Sequence, residues 1–256
     1  MKVFRRLPKI PLMALGAFVA GMACSFMVIN SYIQASTLST AEEIQAVSNN
    51  SKELNLSRRA AIVASRTSAV NLMSVSPVGV ISSLSGTYIK FDDRYYILTV
   101  AHGIIGSCDL TKIMVGEDMY DCVEYADIDY HKDYALIEVD EISELTPVNI
   151  RRSIPRNNEW DEALAIQTKT YYTGYPNGIG PFTIGGEIVG YDRSENVYLH
   201  SFAWPGSSGS GIFNESGQMI GYAMAISVGG TEYGVDVLED IVIVVPLYKI
   251  DWNVLE

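Results

Sequence analysis

His102 stands in LTVAHGI, at the end of an apolar run and the start of a turn. A histidine mounted there is held rigidly, and its ordinary pKa near 6.5 suits it to take and return a proton around neutrality. Asp133 opens a second apolar run, DYALIEV. An aspartate at a strand mouth can accept a hydrogen bond from an imidazole Nδ1–H, which selects the tautomer and stabilises the imidazolium. The third segment is WPGSSGSGIFN, in which Ser208 is flanked by Gly206 and Gly209. Glycines let the chain turn sharply there. They also leave the amides of Gly206 and Ser208 free to converge on one spot, where two donors would bind a developing oxyanion. Taken singly, each segment has a plainer reading: a structural histidine, a strand terminator, a Gly/Ser turn. Their chemistry lies in their occurring together.

The elements that must position these residues are short and β-rich. From about Ala69 the chain runs through AVNLMSV, GTYIKF, RYYILTV, YALIEV, FTIGGEIVGY, NVYLHSF, MIGYAMAISV and DIVIVVPLY. Turn clusters such as SSLSG, FDDR, GEDM, DRSEN and NESGQ separate them. No βαβ alternation is visible, so the pattern predicts an all-β barrel or sandwich. About a dozen strands fit between residues 69 and 250, room for two six-stranded barrels, although periodicity alone leaves a single large sandwich open.

The order His, Asp, Ser, with AH, D-x-A-L and G-x-S-G-S at separations of 31 and 75 residues, resembles the trypsin-like (chymotrypsin-fold) serine proteases. It is most similar to the compact bacterial and viral members and to the protease domain of HtrA-type enzymes. GYPNGIGPFTIGGEIVG, residues 174–190, is similar to that group's G-x-P loop and following strand. The resemblance covers about residues 70–250. It implies two six-stranded antiparallel Greek-key barrels, about 69–145 and 160–250, within a protease domain spanning 69–256. It also implies a His102–Asp133–Ser208 triad, an oxyanion hole from the amides of Gly206 and Ser208, and substrate contacts from Phe202, Ala203, Ser227, Val228 and Gly229. The implied activity is hydrolysis of peptide bonds in a protein or peptide substrate through an acyl-enzyme, with no metal or cofactor. The alternative is a catalytically silent scaffold of the same fold that binds without cleaving; a third reading is self-processing within the stalk at residues 36–68. The hydrolase elbow G-x-S-x-G does not fit, because residue 210 is serine, and the subtilisin order, which begins with Asp, fails as well.

Three departures from the family pattern matter. Ser207 stands where trypsin has the aspartate that pairs with a freshly cut N-terminus, so activation by insertion is not expected. Gly211 replaces a commoner proline. No PDZ domain is expected after the protease domain. No acid lies among Ser201, Phe202, Ala203 and Trp204, and Ile226 stands near the histidine of glutamate-specific relatives, so a shallow pocket for small or medium apolar residues is expected. His131 reads as an exposed loop residue and His200 as a half-buried strand residue. The tyrosines, Tyr171, Tyr172 and Tyr175 among them, fit barrel packing better than a binding patch.

The N-terminus carries a different signal. Lys2, Arg5, Arg6 and Lys9 precede an uncharged run from Leu12 to Ile29, extendable to Ile33. As a helix this spans roughly 27–33 Å, close to the bilayer core. Residues 1–35 therefore read as a signal-anchor helix or as a signal peptide cleaved near Ala35, and either sends the rest of the chain out of the cytoplasm. The domain would then be membrane-anchored on the non-cytoplasmic side, or secreted or periplasmic. Residues 36–68 are polar and read as a linker. Without the basic head the chain has 14 basic against 30 acidic side chains, a surface that repels phosphate and excludes nucleic acid as a partner. Cys108 and Cys122 flank an expected hairpin; export would permit a disulfide between them, and free thiols remain open.

Overall fold

The apolar run ahead of His102 is a strand, and the strand-rich reading holds across the described residues from Ala69 onward. The computed structural model describes residues 56–151, 158–231 and 234–256, with the backbone alone at 56–57, 225–231 and 234–239. The proposed signal or anchor segment and linker residues 36–55 lie outside the described residues. No described helix is long and apolar enough to cross a membrane.

The first sheet contains β1 (Ala69–Val75), β2 (Ile81–Phe91), β3 (Arg94–Thr99), β4 (Thr111–Val115), β5 (Asp118–Asp121), β6 (Glu124–Asp129), β7 (Tyr134–Val139) and β8 (Val148–Ile150). Their order is β5-β4-β1-β2-β3-β7-β6, and β8 joins β2 in parallel. It thus has eight strands rather than six. The additional pairing comes from β5 and β8, which are too short to carry a two-residue period in sequence. Leu72, Leu84, Tyr88, Ile97, Leu98, Leu136 and Ile137 fill its core. A disulfide joins Cys108 and Cys122 across the base of the β4–β5 hairpin, with Cα atoms 5.3 Å apart.

The second unit is a closed six-stranded barrel. Its strands are β9 (Lys169–Gly174), β10 (Phe182–Tyr191), β11 (Val197–His200), β12 (Gly211–Asn214), β13 (Met219–Thr231) and β14 (Gly234–Pro246). They close in the order β10-β11-β14-β13-β12-β9. Tyr172, Ile188, Leu199, Ile212, Phe213, Tyr222, Val242 and Val244 are its buried core residues. Tyr171, Tyr172 and Tyr175 are all buried, in keeping with packing roles.

Each end of the described domain packs on the unit it does not belong to: the first on the second barrel, the last on the first sheet. Helix α1 (Leu56–Ser68) leads directly into β1 yet lies on the second barrel. Ala61, Ser65 and Ser68 form its buried stripe at helical spacing. Ser65 Oγ hydrogen-bonds Thr173 Oγ1 at 2.8 Å, Arg66 donates to Thr183 Oγ1 at 2.8 Å, and the Arg58 guanidinium sits over the Tyr171 ring. At the other end, the chain leaves the second barrel and returns to the first. There Trp252 stacks on Phe91, and Arg94 donates to the Leu255 carbonyl at 2.6 Å. A short helix, α2 (Asn158–Ala163), precedes β9.

Candidate active site

His102 lies in the turn just after β3, where the Ile104 amide donates to the Ala101 carbonyl. Beyond it the chain is held by the buried Ser74 hydroxyl, which accepts from the amides of Ile105 and Gly106 at 3.1 and 3.0 Å. Asp133 ends the turn before β7 with φ of 59°, a left-handed conformation that aspartate tolerates. Asp129 Oδ1 shapes that turn by accepting the amides of His131 and Lys132. The fully buried Tyr222 of β13 donates to the Lys132 carbonyl at 3.0 Å and so ties the turn to the second barrel.

The two residues meet through a double hydrogen bond. His102 Nδ1 donates to Asp133 Oδ2 at 2.7 Å, and the His102 amide donates to Oδ1 at 2.9 Å. A carboxylate only accepts, so Nδ1 carries the proton and Nε2 is left as the basic nitrogen. The imidazole is about half exposed and the aspartate largely covered, at 53% and 16%. The hydrogen bond to Asp133 raises the His102 pKa above its ordinary 6.5; partial burial opposes this, and the Asp133 charge adds to it.

Ser208 sits in a loop whose amides are sorted in two sets. The Ser207 amide donates to Trp204 O at 2.9 Å, Gly209 to Ala223 O at 2.8 Å, and Ser210 to Ser207 O at 3.2 Å. Among the described residues neither the Gly206 nor the Ser208 amide finds an acceptor. Gly206 has φ of +93°, and its carbonyl accepts from the Ser85 hydroxyl at 2.7 Å. The preceding carbonyl, of Pro205, accepts from the Asn177 amide at 2.7 Å. In a planar trans peptide the N–H opposes the C=O, so this bond turns the Gly206 N–H the other way. Gly209 has φ of +91°, and a Cβ there would overlap the Ser85 carbonyl and the Thr99 hydroxyl. Glycine is therefore required at this crossing of loop and first sheet.

Below the loop, Tyr172 donates its hydroxyl to the Phe202 carbonyl. Burial pushes its phenol pKa up, partly offset by the Ser207 hydroxyl. Ser207 is itself buried, and its Oγ accepts the Trp204 amide at 3.3 Å. Of the expected substrate contacts, Ala203 is buried. Phe202 is exposed and packs edge-on against exposed Trp204, centroids 4.0 Å apart. Ser227, Val228 and Gly229 lie on β13, with backbone paired to Leu238, Val237 and Asp236 of β14; their side chains are outside the description. His131 is exposed in the β6–β7 turn. His200 is exposed on β11 rather than half-buried, because its neighbour Leu199 takes the inward face of the pleat.

Sequence reasoning missed Ser85, Thr99, Tyr172 and Asn177. Only Asn177 had a usable signal: Pro-Asn-Gly marks a turn, and Asn177 adopts φ 52°, ψ 28°. The other three are ordinary strand residues whose partners lie far along the chain.

The comparisons agree with this architecture. The trypsin-like peptidase domain profile matches residues 84–221, the span from β2 to β13. No curated protein matches the chain significantly in sequence. Among solved structures, the chain is similar to the serine endoprotease of Yersinia pestis, with a TM-score of 0.56 and 22% identity over 76% of this chain. That match covers 64% of the Yersinia protein, so it spans less than two thirds of that chain's length. The Rv3671c protease of M. tuberculosis in its active form aligns with a TM-score of 0.54 and 17% identity, over 73% of this chain and 79% of that one. The HtrA-type protease AlgW with a tripeptide aligns at 0.55 and 18%, over 73% of this chain and 59% of that one. At these identities the likeness speaks for the fold, and the profile, which spans more than half of the sequence, for the family: this chain belongs to the trypsin-like peptidase domain family.

Proposed function

We propose that the protein is an exported serine endopeptidase with His102, Asp133 and Ser208 as its triad. The observation that carries the reading is the double hydrogen bond from His102 to Asp133, which leaves Nε2 as a base on a fixed ring. His102 Nε2 takes the proton from Ser208 Oγ as the oxygen attacks the scissile carbonyl. The amides of Gly206 and Ser208 stabilise the oxyanion. The carbon–nitrogen bond then breaks, His102 gives its proton to the leaving amine, and water repeats the sequence to free the acid. The preferred residue before the scissile bond is small or medium-sized and apolar, in keeping with the absence of acid among Ser201–Trp204. Export agrees with the Cys108–Cys122 disulfide, which belongs to an oxidising compartment.

The test is reaction of the full-length chain with an alkyl fluorophosphonate, read by intact mass, beside Ser208→Ala. One adduct, absent from Ser208→Ala, is expected. A folded wild type that does not react would turn the reading to a silent scaffold.

A further inference from the structure

We propose that Ser85 is the positioning residue of the oxyanion-binding amides, acting through its side-chain hydroxyl from the first sheet; this rests on the reading of Ser208 as nucleophile. Ser85 lies in β2 of the first sheet and is fully buried, yet four of its hydrogen bonds converge on the Ser208 loop and its supports. Its amide donates to the Ser208 carbonyl at 2.9 Å. Its hydroxyl donates to the Gly206 carbonyl at 2.7 Å and accepts the Tyr175 amide at 2.8 Å. Its carbonyl accepts from Thr99 Oγ1 at 2.7 Å, three residues before His102.

The consequence follows from peptide planarity. With the Gly206 carbonyl turned to Ser85, the amide across that peptide, of Ser207, points away, and it does so onto Trp204 O. With the Ser208 carbonyl also turned to Ser85, the Gly209 amide points away onto Ala223 O. Ser85 thus fixes the peptide planes on either side of the Ser207–Ser208 unit, whose N–H is one of the two free donors: the preceding plane through its hydroxyl, which the variants change, and the following one through its backbone amide, which they keep. The other donor, Gly206 N–H, is aimed by the Asn177 amide on Pro205 O. Asn177 is two residues beyond Tyr175, whose amide the same Ser85 oxygen receives. One hydroxyl therefore couples the loop carrying the donors to the loop that aims the second of them. Gly206, at φ +93° and without a Cβ, has little steric resistance to turning its peptide planes, so the hydrogen bond supplies that restraint.

The experiment is the kinetics of alkyl fluorophosphonate labelling in full-length wild type, Ser85→Ala, Ser85→Thr and Ser85→Cys, separating the inactivation rate constant from the initial binding constant across pH. In Ser85→Ala the rate constant is expected to fall about 10²-fold, in line with loss of one oxyanion donor. The binding constant and the pH of the His102 inflection should stay put. Ser85→Thr, which keeps the hydroxyl, should recover most of the rate, and Ser85→Cys, a weak donor, should fall between. A wild-type rate constant in Ser85→Ala overturns the proposal, and so does a loss shared equally with initial binding. Failure of both Ser85→Ala and Ser85→Cys to fold would make the residue purely structural and overturn it too. A wild type that never labels removes the reading of Ser208 instead, which separates the two failures.

Discussion

At the scale of single residues, the His102–Asp133 pair sets the expected pH behaviour. On the proposed mechanism the base form of His102 is the active one, so the labelling rate should rise with pH through an inflection above 6.5, where the hydrogen bond to Asp133 has moved it. Asp133→Asn should remove that upward shift and lower the peptidase rate by about 10⁴-fold, measurable with a chromogenic peptide across pH. Stability follows the same linkage. A histidine whose folded pKa is raised contributes fully below its unfolded value of 6.5 and loses that contribution as pH rises through the higher folded value. Ser210 offers the opposite case: its hydroxyl is buried with no partner among the described residues. Ser210→Ala should therefore raise unfolding stability by about 1 kcal/mol in a urea titration, since an unpaired buried hydroxyl costs about that much or more. The approach of His102 to Asp133 was legible because each sits in a short motif at the edge of an apolar run. Ser85 was not, because a lone serine in a strand has no local pattern. Its meaning depends on Gly206, 121 positions away.

At the scale of elements, the β4–β5 hairpin and helix α1 give contrasting lessons. Cys108 and Cys122 are 14 residues apart, so the double variant Cys108→Ala, Cys122→Ala should lose about 3 kcal/mol of stability, read from denaturant midpoints, if loop closure governs the effect. The sequence marked both ends of that hairpin but left the pairing open, because spacing says nothing about Cα separation. Helix α1 is hidden differently. Its buried residues are Ala61, Ser65, Arg66 and Ser68, with no large apolar period among them, so the segment reads as linker. Ala61 is nonetheless fully buried against the core. Ala61→Leu should cost about 1–3 kcal/mol through overpacking, visible as a lower melting temperature. Strands rich in aromatic and β-branched residues, such as the later part of β2 and β3, were legible; β5 and β8, four and three residues long, were not.

At the scale of the whole molecule, the charge of −12 predicts a kinetic signature. Cleavage of a lysine-flanked peptide should slow as salt rises from low to physiological strength, while a neutral peptide of the same core is unaffected, because screening weakens only the long-range attraction. The overall architecture was legible from strand rhythm and motif order; the crossing of the two ends of the described domain was not, since it depends on contacts between distant segments. That crossing has a consequence for biogenesis. The surface that α1 covers is completed only when β9, β10 and β12 exist, and Ser65 waits 108 residues for Thr173. On a chain emerging N-terminus first, the helix is made early and has nowhere to dock until the second barrel follows. The Ser208 loop likewise has its supports in both the first sheet and the second barrel. On the proposed mechanism, a nascent chain therefore has no fully supported Ser208 loop until the second barrel has been synthesised.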